Sequence, residues 1–357
     1  MRLKSLLIKS NLQNYQANFV DNNSFIYGLK DIPNSIFIVD SKVWEYYKDN
    51  LLACIKKDRI IVLSVSEERK TLETVQELYD QIMEYSPRKN LCLIAVGGGI
   101  LQDIAGFLAS TLYRGVSWIF VPTTLLAQAD SCIGAKTSLN YKKFKNLIGT
   151  FYPPSSIYIY PEFLKTQLKQ DFYSGVGEMA KLHLMGGKKD TLNFIEALFG
   201  INNLDNKSII ETVQRCLLIK QSYIEEDEFD SGKRNMLNYG HCFGHAIESS
   251  TNFEISHGQA VVLGMIAANI SAHKRGLLSA ENERFLRAKV LIPVFKTNMQ
   301  NIKLNIEETV AAMAHDKKNT GDGLALVMID DNYEMIKITD MSKNEASESL
   351  KELENFI

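Results

Sequence analysis

The segment Leu91-Cys92-Leu93-Ile94-Ala95-Val96-Gly97-Gly98-Gly99 decides the fold of this chain. Its first six residues form a continuous apolar run, which predicts a buried β-strand, and three glycines follow at once. A helix is expected to start near Leu101. Glycines let the backbone come close to a pyrophosphate, and the amides at a helix N-terminus bind anions. The segment therefore favours a nucleotide phosphate site over a purely structural turn.

The glycine turn is not the GxGxxG fingerprint of dinucleotide-binding domains. Asp103 and Gly106 complete a different pattern, Gly-Gly-Gly-x-x-x-Asp-x-x-Gly. Pro122-Thr123-Thr124 ends the next expected strand, at the sheet edge where open α/β folds bind their ligands. The two threonine hydroxyls could contact a nucleotide, or they could cap the helix that follows.

Strand and helix patterns alternate on both sides of this segment. Short β-rich runs occupy residues 35–39, 59–63 and 118–122, and residues 1–9 could form a first strand. Helical periodicity covers residues 43–55 and 71–83. This alternation predicts an α/β fold, a Rossmann-like, doubly wound parallel sheet with helices on both faces.

Prolines at 153, 154 and 161 mark a break, and mainly helical patterns follow it. These patterns cover residues 190–199, 207–223, 258–274 and 306–315, a strand pair is expected at 324–329 and 335–338, and a closing helix at 345–357. We expect a nucleotide-binding α/β domain over residues 1–160, a mainly α-helical metal- and substrate-binding domain over residues 161–357, and a cleft between them.

The composition limits the possible classes of protein. The chain has 357 residues, of which 45% are hydrophobic and 23% charged, which is typical of a soluble protein with two domains. Its net charge of -2 argues against nucleic acid or an anionic membrane as partner. The longest apolar stretch, residues 260–270, is shorter than the roughly 20 residues that cross a bilayer. Five scattered cysteines without a CxxC pair predict reduced thiols and a cytoplasmic location.

One glutamate and three histidines form the second signal. Glu178 precedes Lys181 by three residues, so the two share a helix face, either as a surface ion pair or in a site. His241 and His245 are four residues apart, and His257 follows. The first two histidines could chelate one metal together, or one could bind the metal while the other contacts the substrate. One carboxylate and two imidazoles are a common ligand set for catalytic zinc.

Positive charge is concentrated in a few places. Lys136, Lys145 and Asn146 lie in a polar, glycine-containing stretch that also holds Asp130, and they could bind a phosphate, although a solvated loop would have the same composition. Further positive charge comes from Lys220, Arg234, Lys317 and Lys318. Arginine is suited to bidentate contacts with carboxylate or phosphate. A nucleotide site and a metal site on one chain suggest redox chemistry at a carbon that bears a hydroxyl.

Taken together, these motifs resemble the 3-dehydroquinate synthase family of sugar-phosphate cyclases. The resemblance runs from about Asp40 to Lys318, which is most of the chain. The motifs in family order are Gly97-Gly98-Gly99-(x3)-Asp103, Arg114-Gly115, Pro122-Thr123-Thr124, Lys136-(x8)-Lys145-Asn146, Glu178-x-x-Lys181, Lys220-(x13)-Arg234-(x3)-Asn238-x-x-His241-(x3)-His245, His257-Gly258 and Asp316-Lys317-Lys318.

The resemblance implies a role for each of these residues. The zinc ligands, with cobalt as an alternative ion, would be Glu178, His241 and His257. The NAD site would comprise Asp40, Glu67, Lys70, Gly97, Gly98, Gly99, Asp103, Thr123, Thr124, Lys136 and Lys145. The sugar-phosphate substrate would be bound by Arg114, Lys136, Asn146, Lys220, Arg234, Lys317 and Lys318. The catalytic residues would be Asp130, Lys145, Lys181, Asn238 and His245. Arg114 would reach the phosphate across a homodimer interface.

The implied reaction converts 3-deoxy-D-arabino-heptulosonate 7-phosphate to 3-dehydroquinate and phosphate, as a phosphorus–oxygen lyase of the shikimate pathway. It combines transient oxidation by NAD, phosphate elimination, reduction and an intramolecular aldol closure. The chain departs from the family pattern in several places, for example at Ser138, where a glycine is usual. Two alternatives therefore stay open: a sister cyclase for another heptulose or hexose phosphate, and a metal-dependent polyol dehydrogenase. Lys136 argues against the deoxy-inosose branch, in which an acidic residue is common at this position.

Overall fold

The computed structural model describes residues 4–142, 144–299, 302–314 and 323–357. The chain divides into two compact units, Met1–Gln167 and Leu168–Ile357. None of the described helices combines the length and the apolar character needed to cross a bilayer.

The first unit is built on a seven-stranded sheet. Its strands and those of a separate hairpin are β1 (Ser5–Ile8), β2 (Tyr15–Phe19), β3 (Ser35–Asp40), β4 (Ile60–Leu63), β5 (Cys92–Gly97), β6 (Ser117–Pro122), β7 (Lys136–Tyr141), β8 (Phe144–Phe151) and β9 (Ser156–Ile159). The sheet order is β1-β2-β9-β6-β5-β3-β4, and only the β1–β2 pair is antiparallel. The predicted parallel α/β sheet is therefore confirmed.

Strand β5 lies between β3 and β6, and all of its residues are buried, which explains its continuous apolar run. The helices of this unit are α1 (Phe25–Lys30), α2 (Ser41–Tyr47), α3 (Leu72–Glu84) and α4 (Gly99–Thr111). The prediction of one helix over residues 43–55 is wrong in its second half, because α2 ends at Tyr47. The turns after α2 contribute three buried side chains to the core, those of Leu51, Leu52 and Ile55. Their spacing resembles that of the apolar residues of a helix.

The basic stretch from Lys136 to Asn146 is not a solvated loop. It contributes to the antiparallel hairpin of β7 and β8, in which Lys136 lies opposite Phe151 and Leu139 opposite Ile148. The register shifts between Leu139 and Tyr141, as in a β-bulge. The hairpin gives the polar side chains of this stretch a defined geometry.

The second unit is mainly helical, as the sequence predicted. Its elements are α5 (Lys169–Met185), α6 (Lys188–Asn202), α7 (Asn206–Glu226), α8 (His241–Ser250), α9 (His257–Lys274), α10 (Ala280–Leu286), α11 (Ile292–Val294), α12 (Ile306–Ala314), β10 (Leu324–Ile329), β11 (Met335–Met341) and α13 (Lys343–Leu353). Residues 258–272 of α9 are all buried, so α9 is the central helix of the unit.

Glycines bring α5, α8 and α9 into backbone contact. A Cβ atom added at Gly258 would lie 1.8 Å from the carbonyl oxygen of Ser174, and one at Gly177 would lie 2.3 Å from that of Gly258. A Cβ atom at Gly264 would lie 2.0 Å from the carbonyl oxygen of Gly240. Gly240 itself has a φ of 78°, a left-handed conformation that favours glycine. Three of these glycines adjoin the candidate metal ligands in the sequence.

We expect Gly258→Ala to destabilise the protein, because the new methyl group would force α5 and α9 apart. Overpacking of this kind costs about 1–3 kcal/mol. A lower thermal unfolding temperature, measured by circular dichroism, would agree with this close approach. Gly28→Ala is the matched control, since a Cβ atom at Gly28 meets nothing within 4 Å and α1 should tolerate alanine. Equal unfolding temperatures for Gly258→Ala and wild type would contradict the packing described.

Candidate active site

The structure brings the three predicted metal ligands together in the second unit. Glu178 lies on α5, His241 begins α8 and His257 begins α9. The Nε2 atom of His257 is 3.3 Å from Oε1 of Glu178, and Nε2 of His241 is 3.7 Å from the same oxygen. The two imidazole rings are 5.3 Å apart between centroids. One ion could therefore contact all three side chains after small movements.

The second nitrogen of each ring has its own partner. Nδ1 of His241 is 3.2 Å from the carbonyl oxygen of Tyr239, and Nδ1 of His257 is 2.9 Å from Oε2 of Glu248. When the rings are neutral, donation from Nδ1 leaves the Nε2 lone pair of each ring facing Glu178. This is the usual arrangement around metal-bound histidines.

Oε1 of Glu178 is a buried acceptor without a hydrogen-bond partner among the described residues. An unsatisfied buried carboxylate oxygen is costly, so positive charge is needed beside it. A proton on one histidine would join Oε1 of Glu178 to one ring nitrogen only, whereas a divalent cation would bind the carboxylate and both nitrogens. The donor set therefore fits a metal, and zinc and cobalt both accept it.

The electrostatics of the cluster also favour a cation. Lys181 pairs with Oε2 of Glu178 at 2.6 Å, and both side chains are buried, which excludes a surface ion pair. Burial alone would raise the pKa of Glu178, but Lys181 and His257 outweigh it and hold that pKa below its usual range. Burial would lower the pKa of His257, yet Glu178 and Glu248 raise it to about 10. The position between these two carboxylates therefore attracts positive charge strongly.

His245 lies beside the cluster and is exposed. Its ring centroid is 5.2 Å from that of His241 and 5.6 Å from that of His257. One nitrogen from each of the three histidines lies within 4.8 Å of the others, so His245 could also reach a shared ion. Both roles that the spacing allowed, ligand and substrate contact, are compatible with this geometry. Its assignment as a substrate contact stays a prediction.

The remaining predicted residues of this unit lie on other elements. Lys220 is buried on α7, and Arg234 is buried and donates from Nη1 to the carbonyl oxygen of Glu228. Nδ2 of Asn238 donates to the carbonyl oxygen of Asn235 at 2.9 Å. Their predicted contacts with the substrate stay predictions. Lys317 and Lys318 lie outside the described residues.

Asp227, which the sequence analysis missed, shapes the loop that leads to Arg234. Its carboxylate accepts backbone hydrogen bonds from Ser231, Gly232 and Arg234 at 2.9, 2.7 and 3.0 Å. Burial works against ionisation, but these hydrogen bonds lower the pKa of Asp227 to about 2. An aspartate at the end of a helix, four residues before Ser231-Gly232, was a usable turn signal.

In the first unit, the ends of β3, β5 and β6 meet around the glycine turn. Helix α4 begins at Gly99, slightly earlier than the expected start near Leu101. A Cβ atom at Gly97 would lie 2.5 Å from Cδ2 of Leu101, and one at Gly98 would lie 3.0 Å from Cγ2 of Thr124. None of the three glycines has a positive φ, so close packing is what excludes a side chain at Gly97.

A polar network joins several predicted nucleotide and phosphate residues. Oδ1 of Asp103 accepts a hydrogen bond from the backbone amide of Ser138 at 3.0 Å. Oδ2 of Asp103 lies 2.9 Å from Oγ of Ser138 and 2.5 Å from Nζ of Lys70. Nζ of Lys70 also donates to Oδ1 of Asn146 at 2.6 Å. Burial raises the pKa of Asp103, against the opposing effect of Lys70 and Ser138.

Asn140 extends this network to Glu67. Its Nδ2 atom donates to Oε1 of Glu67 at 2.8 Å, and its Oδ1 atom accepts from the backbone amide of Asn146 at 2.9 Å. The sequence analysis assigned neither Ser138 nor Asn140 to a binding site. Their spacing from Lys136 was the available signal, because alternate residues of a strand share a face.

Thr124 caps the helical turn that follows it, since its Oγ1 accepts from the amide of Ala127 at 3.3 Å. This confirms capping for Thr124, while Thr123 is buried. Asp40 caps α2 in the same way and accepts from the amide of Lys42 at 2.9 Å. Burial raises the pKa of Asp40 against the effect of Lys42. Contacts of these side chains with NAD stay predictions.

The other predicted residues of the first unit lie on turns and on the hairpin. Lys136 and Lys145 are exposed on β7 and β8, and Asp130 lies in the π-helical turn Ala127–Ser131. Arg114 has a φ of 64°, within a turn whose neighbours Tyr113 and Gly115 also have positive φ values. A strained turn of this kind is a common feature of functional sites.

Comparison with known proteins finds family models and relatives of one class of enzyme, the 3-dehydroquinate synthases. The family model described as 3-dehydroquinate synthase N-terminal matches residues 60–174, and the 3-dehydroquinate synthase C-terminal model matches residues 175–319. The 3-dehydroquinate synthase of Clostridium tetani is 37% identical over 354 residues, which cover 97% of this chain and 91% of that relative. The chain therefore belongs to the 3-dehydroquinate synthase family.

Solved structures share the fold over nearly the full chain. A 2-deoxy-scyllo-inosose synthase complexed with carbaglucose-6-phosphate, NAD+ and Co2+ aligns with a TM-score of 0.86 at 24% identity, covering 98% of this chain and 99% of that one. The 2-epi-5-epi-valiolone synthase ValA of Streptomyces hygroscopicus, with NAD+ and Zn2+ bound, aligns with a TM-score of 0.84 at 24% identity and 99% coverage of both chains.

We expect His257→Ala to lose its metal, because the variant removes one of the three converging donor atoms. The zinc content of the purified protein, measured by atomic emission, should fall close to zero, while NAD+ affinity changes little. His273→Ala is the matched control, since His273 lies near the other end of the same helix, where its Nδ1 is 2.9 Å from the carbonyl oxygen of Leu278. Full zinc content in His257→Ala would refute the proposed ligand set.

We expect Lys70→Met to weaken NAD+ binding, since the change leaves the partly buried Asp103 carboxylate without its cation. The loss of one charge-assisted contact costs about 1.5–3 kcal/mol, which corresponds to roughly a 10- to 100-fold higher dissociation constant. Isothermal titration with NAD+ measures it. Lys165→Met removes an exposed lysine of the same unit, paired with Glu162 at 2.8 Å, and should bind NAD+ like wild type. Unchanged affinity in Lys70→Met would exclude the Asp103 network from the nucleotide site.

Proposed function

We propose that this protein is a 3-dehydroquinate synthase, which converts 3-deoxy-D-arabino-heptulosonate 7-phosphate to 3-dehydroquinate and phosphate. The observation that carries the proposal is the convergence of Oε1 of Glu178 with the Nε2 atoms of His241 and His257, in a chain of this family. The curated relative from Clostridium tetani, which spans nearly the whole chain, supports the same reaction.

The proposed cofactors are NAD and a divalent cation, zinc or cobalt. When bound, the cation would supply Lewis acidity towards a substrate hydroxyl, and NAD would accept a hydride and return it. Glu178, His241 and His257 would hold the cation, and Lys181 would keep Glu178 ionised and oriented by its 2.6 Å contact with Oε2. The glycine turn and the Asp103 network of residues 1–160 would hold NAD.

The basic residues match the charges of the proposed substrate. Lys136 and Asn146 on the hairpin would bind the phosphate, and buried Lys220 and Arg234 in residues 161–357 would bind the carboxylate and hydroxyls. We assign catalytic roles to Asp130, Lys145, Lys181, Asn238 and His245 on the family resemblance.

Two further proposals concern assembly and location. We expect a homodimer in which Arg114, presented on a strained exposed turn, reaches the partner's phosphate site. We also expect a cytoplasmic protein, which agrees with five cysteines that are scattered along the sequence without a CxxC pair.

A sister cyclase is the second candidate, and Ser138 is the observation that favours it. Its Oγ atom lies 2.9 Å from Oδ2 of Asp103 and 2.9 Å from Oδ1 of Asn146. A hydroxyl at a position where the family pattern has glycine changes the polar surroundings of the proposed phosphate site. Another heptulose or hexose phosphate could then be the preferred substrate.

A substrate-panel assay on the metal-loaded protein tests these alternatives. We expect stoichiometric phosphate release from 3-deoxy-D-arabino-heptulosonate 7-phosphate without net accumulation of NADH. Activity should disappear after chelation and return with zinc or cobalt.

Two other outcomes would contradict the proposal. Phosphate release only from another sugar phosphate would identify a sister cyclase. Accumulation of NADH with a polyol, without phosphate release, would identify a dehydrogenase.

A further inference from the structure

Glu248 contacts the side chain of a proposed metal ligand. Its Oε2 atom lies 2.9 Å from Nδ1 of His257, and the Glu248 side chain is only 12% exposed. The other nitrogen of the same ring faces Oε1 of Glu178 at 3.3 Å. His257 is therefore held between two carboxylates, one on each side of the imidazole.

Helix α8 carries Glu248 on the same face as the other histidines. His241, His245 and Glu248 are separated by four and then three residues, so they lie above one another along the helix. Helix α8 would thus supply one ligand directly and hold the ligand of α9 through Glu248. Helices α8 and α9 pack closely, because a Cβ atom at Gly244 would lie only 3.0 Å from Cα of Val261. This packing keeps Glu248 in a fixed position relative to His257.

The two histidines differ in what their Nδ1 atoms contact. His241 meets the neutral carbonyl oxygen of Tyr239, whereas His257 meets a carboxylate. A carboxylate partner fixes the tautomer, orients the ring and makes the imidazole a stronger donor to a metal. It also adds a negative charge to a site in which Lys181 already offsets the charge of Glu178.

We infer that Glu248 is a positioning residue that presents Nε2 of His257 to the catalytic cation. The inference rests on the proposed function, since it assumes that a divalent cation occupies the cluster. It goes beyond the ligand set, because it makes the strength of the bond between His257 and the cation depend on a residue that does not contact the cation.

Zinc affinity of the full-length protein, measured by competition with a chromophoric chelator, tests the role of Glu248. We expect Glu248→Ala to raise the zinc dissociation constant about 10- to 100-fold. Glu248→Gln keeps an oxygen acceptor for Nδ1 but loses the charge, so it should fall between wild type and Glu248→Ala. The visible absorption of the cobalt-substituted protein should shift in Glu248→Ala, because the ring turns relative to the ion.

Glu254→Gln is the matched control, since it removes an exposed charge three residues before His257 without touching the ring. We expect its zinc affinity and cobalt spectrum to equal those of wild type. NAD+ affinity should be unchanged in all three variants. Because Glu248→Gln preserves the side-chain volume, it keeps the test decisive if Glu248→Ala folds poorly.

Two results would overturn the inference. In the first, both Glu248 variants bind zinc as tightly as wild type and keep the wild-type cobalt spectrum. In the second, Glu254→Gln weakens zinc binding as much as the Glu248 variants, which would reduce the effect to overall charge. Wild-type protein that binds no zinc would instead refute the metal site and the proposed function with it, so the two failures are distinguishable.

Discussion

The second unit depends on one constraint: a buried carboxylate oxygen faces two imidazole nitrogens, and it has no hydrogen-bond partner in the part of the chain that the structure describes. Oε1 of Glu178 lies within 3.7 Å of Nε2 of both His241 and His257. Acceptor atoms do not stay together in a protein interior unless a positive charge is shared among them. The packing of α5, α8 and α9 therefore makes sense as a means of holding these atoms for a cation.

Glycine contacts provide that means. Gly177, Gly240 and Gly258 each adjoin a candidate ligand, and each allows a backbone approach that a methyl group would prevent. Side-chain packing usually keeps helix axes about 8–10 Å apart, so closer approach needs residues without side chains. The same three helices carry the candidate ligands and the glycines, and this explains why the sequence places them side by side.

Periodic and punctuated patterns made much of this structure predictable. The apolar run before Gly97 gave β5, and the helical periodicity of residues 207–223 and 258–274 gave most of α7 and α9. Side-chain partners across the chain were not predictable, because contacts such as Glu248 with His257 depend on helix packing that no local pattern encodes. The false continuation of α2 has a similar cause, since Leu51 and Leu52 are buried by tertiary contacts.

Ser138 and Asn140 show how a strand can organise a polar site. They lie on one face of β7 and reach Asp103, Glu67 and Asn146, which belong to three different elements of the first unit. Burial disfavours the charge on Asp103 and raises its pKa, and Lys70 together with Ser138 offsets part of that cost. A glycine at position 138 would keep the contact between the backbone amide and Asp103 but lose the contact of the hydroxyl. The orientation of the Asp103 carboxylate would then depend more on Lys70. The hydroxyl at this position therefore makes the geometry of the Asp103 carboxylate less dependent on a single lysine.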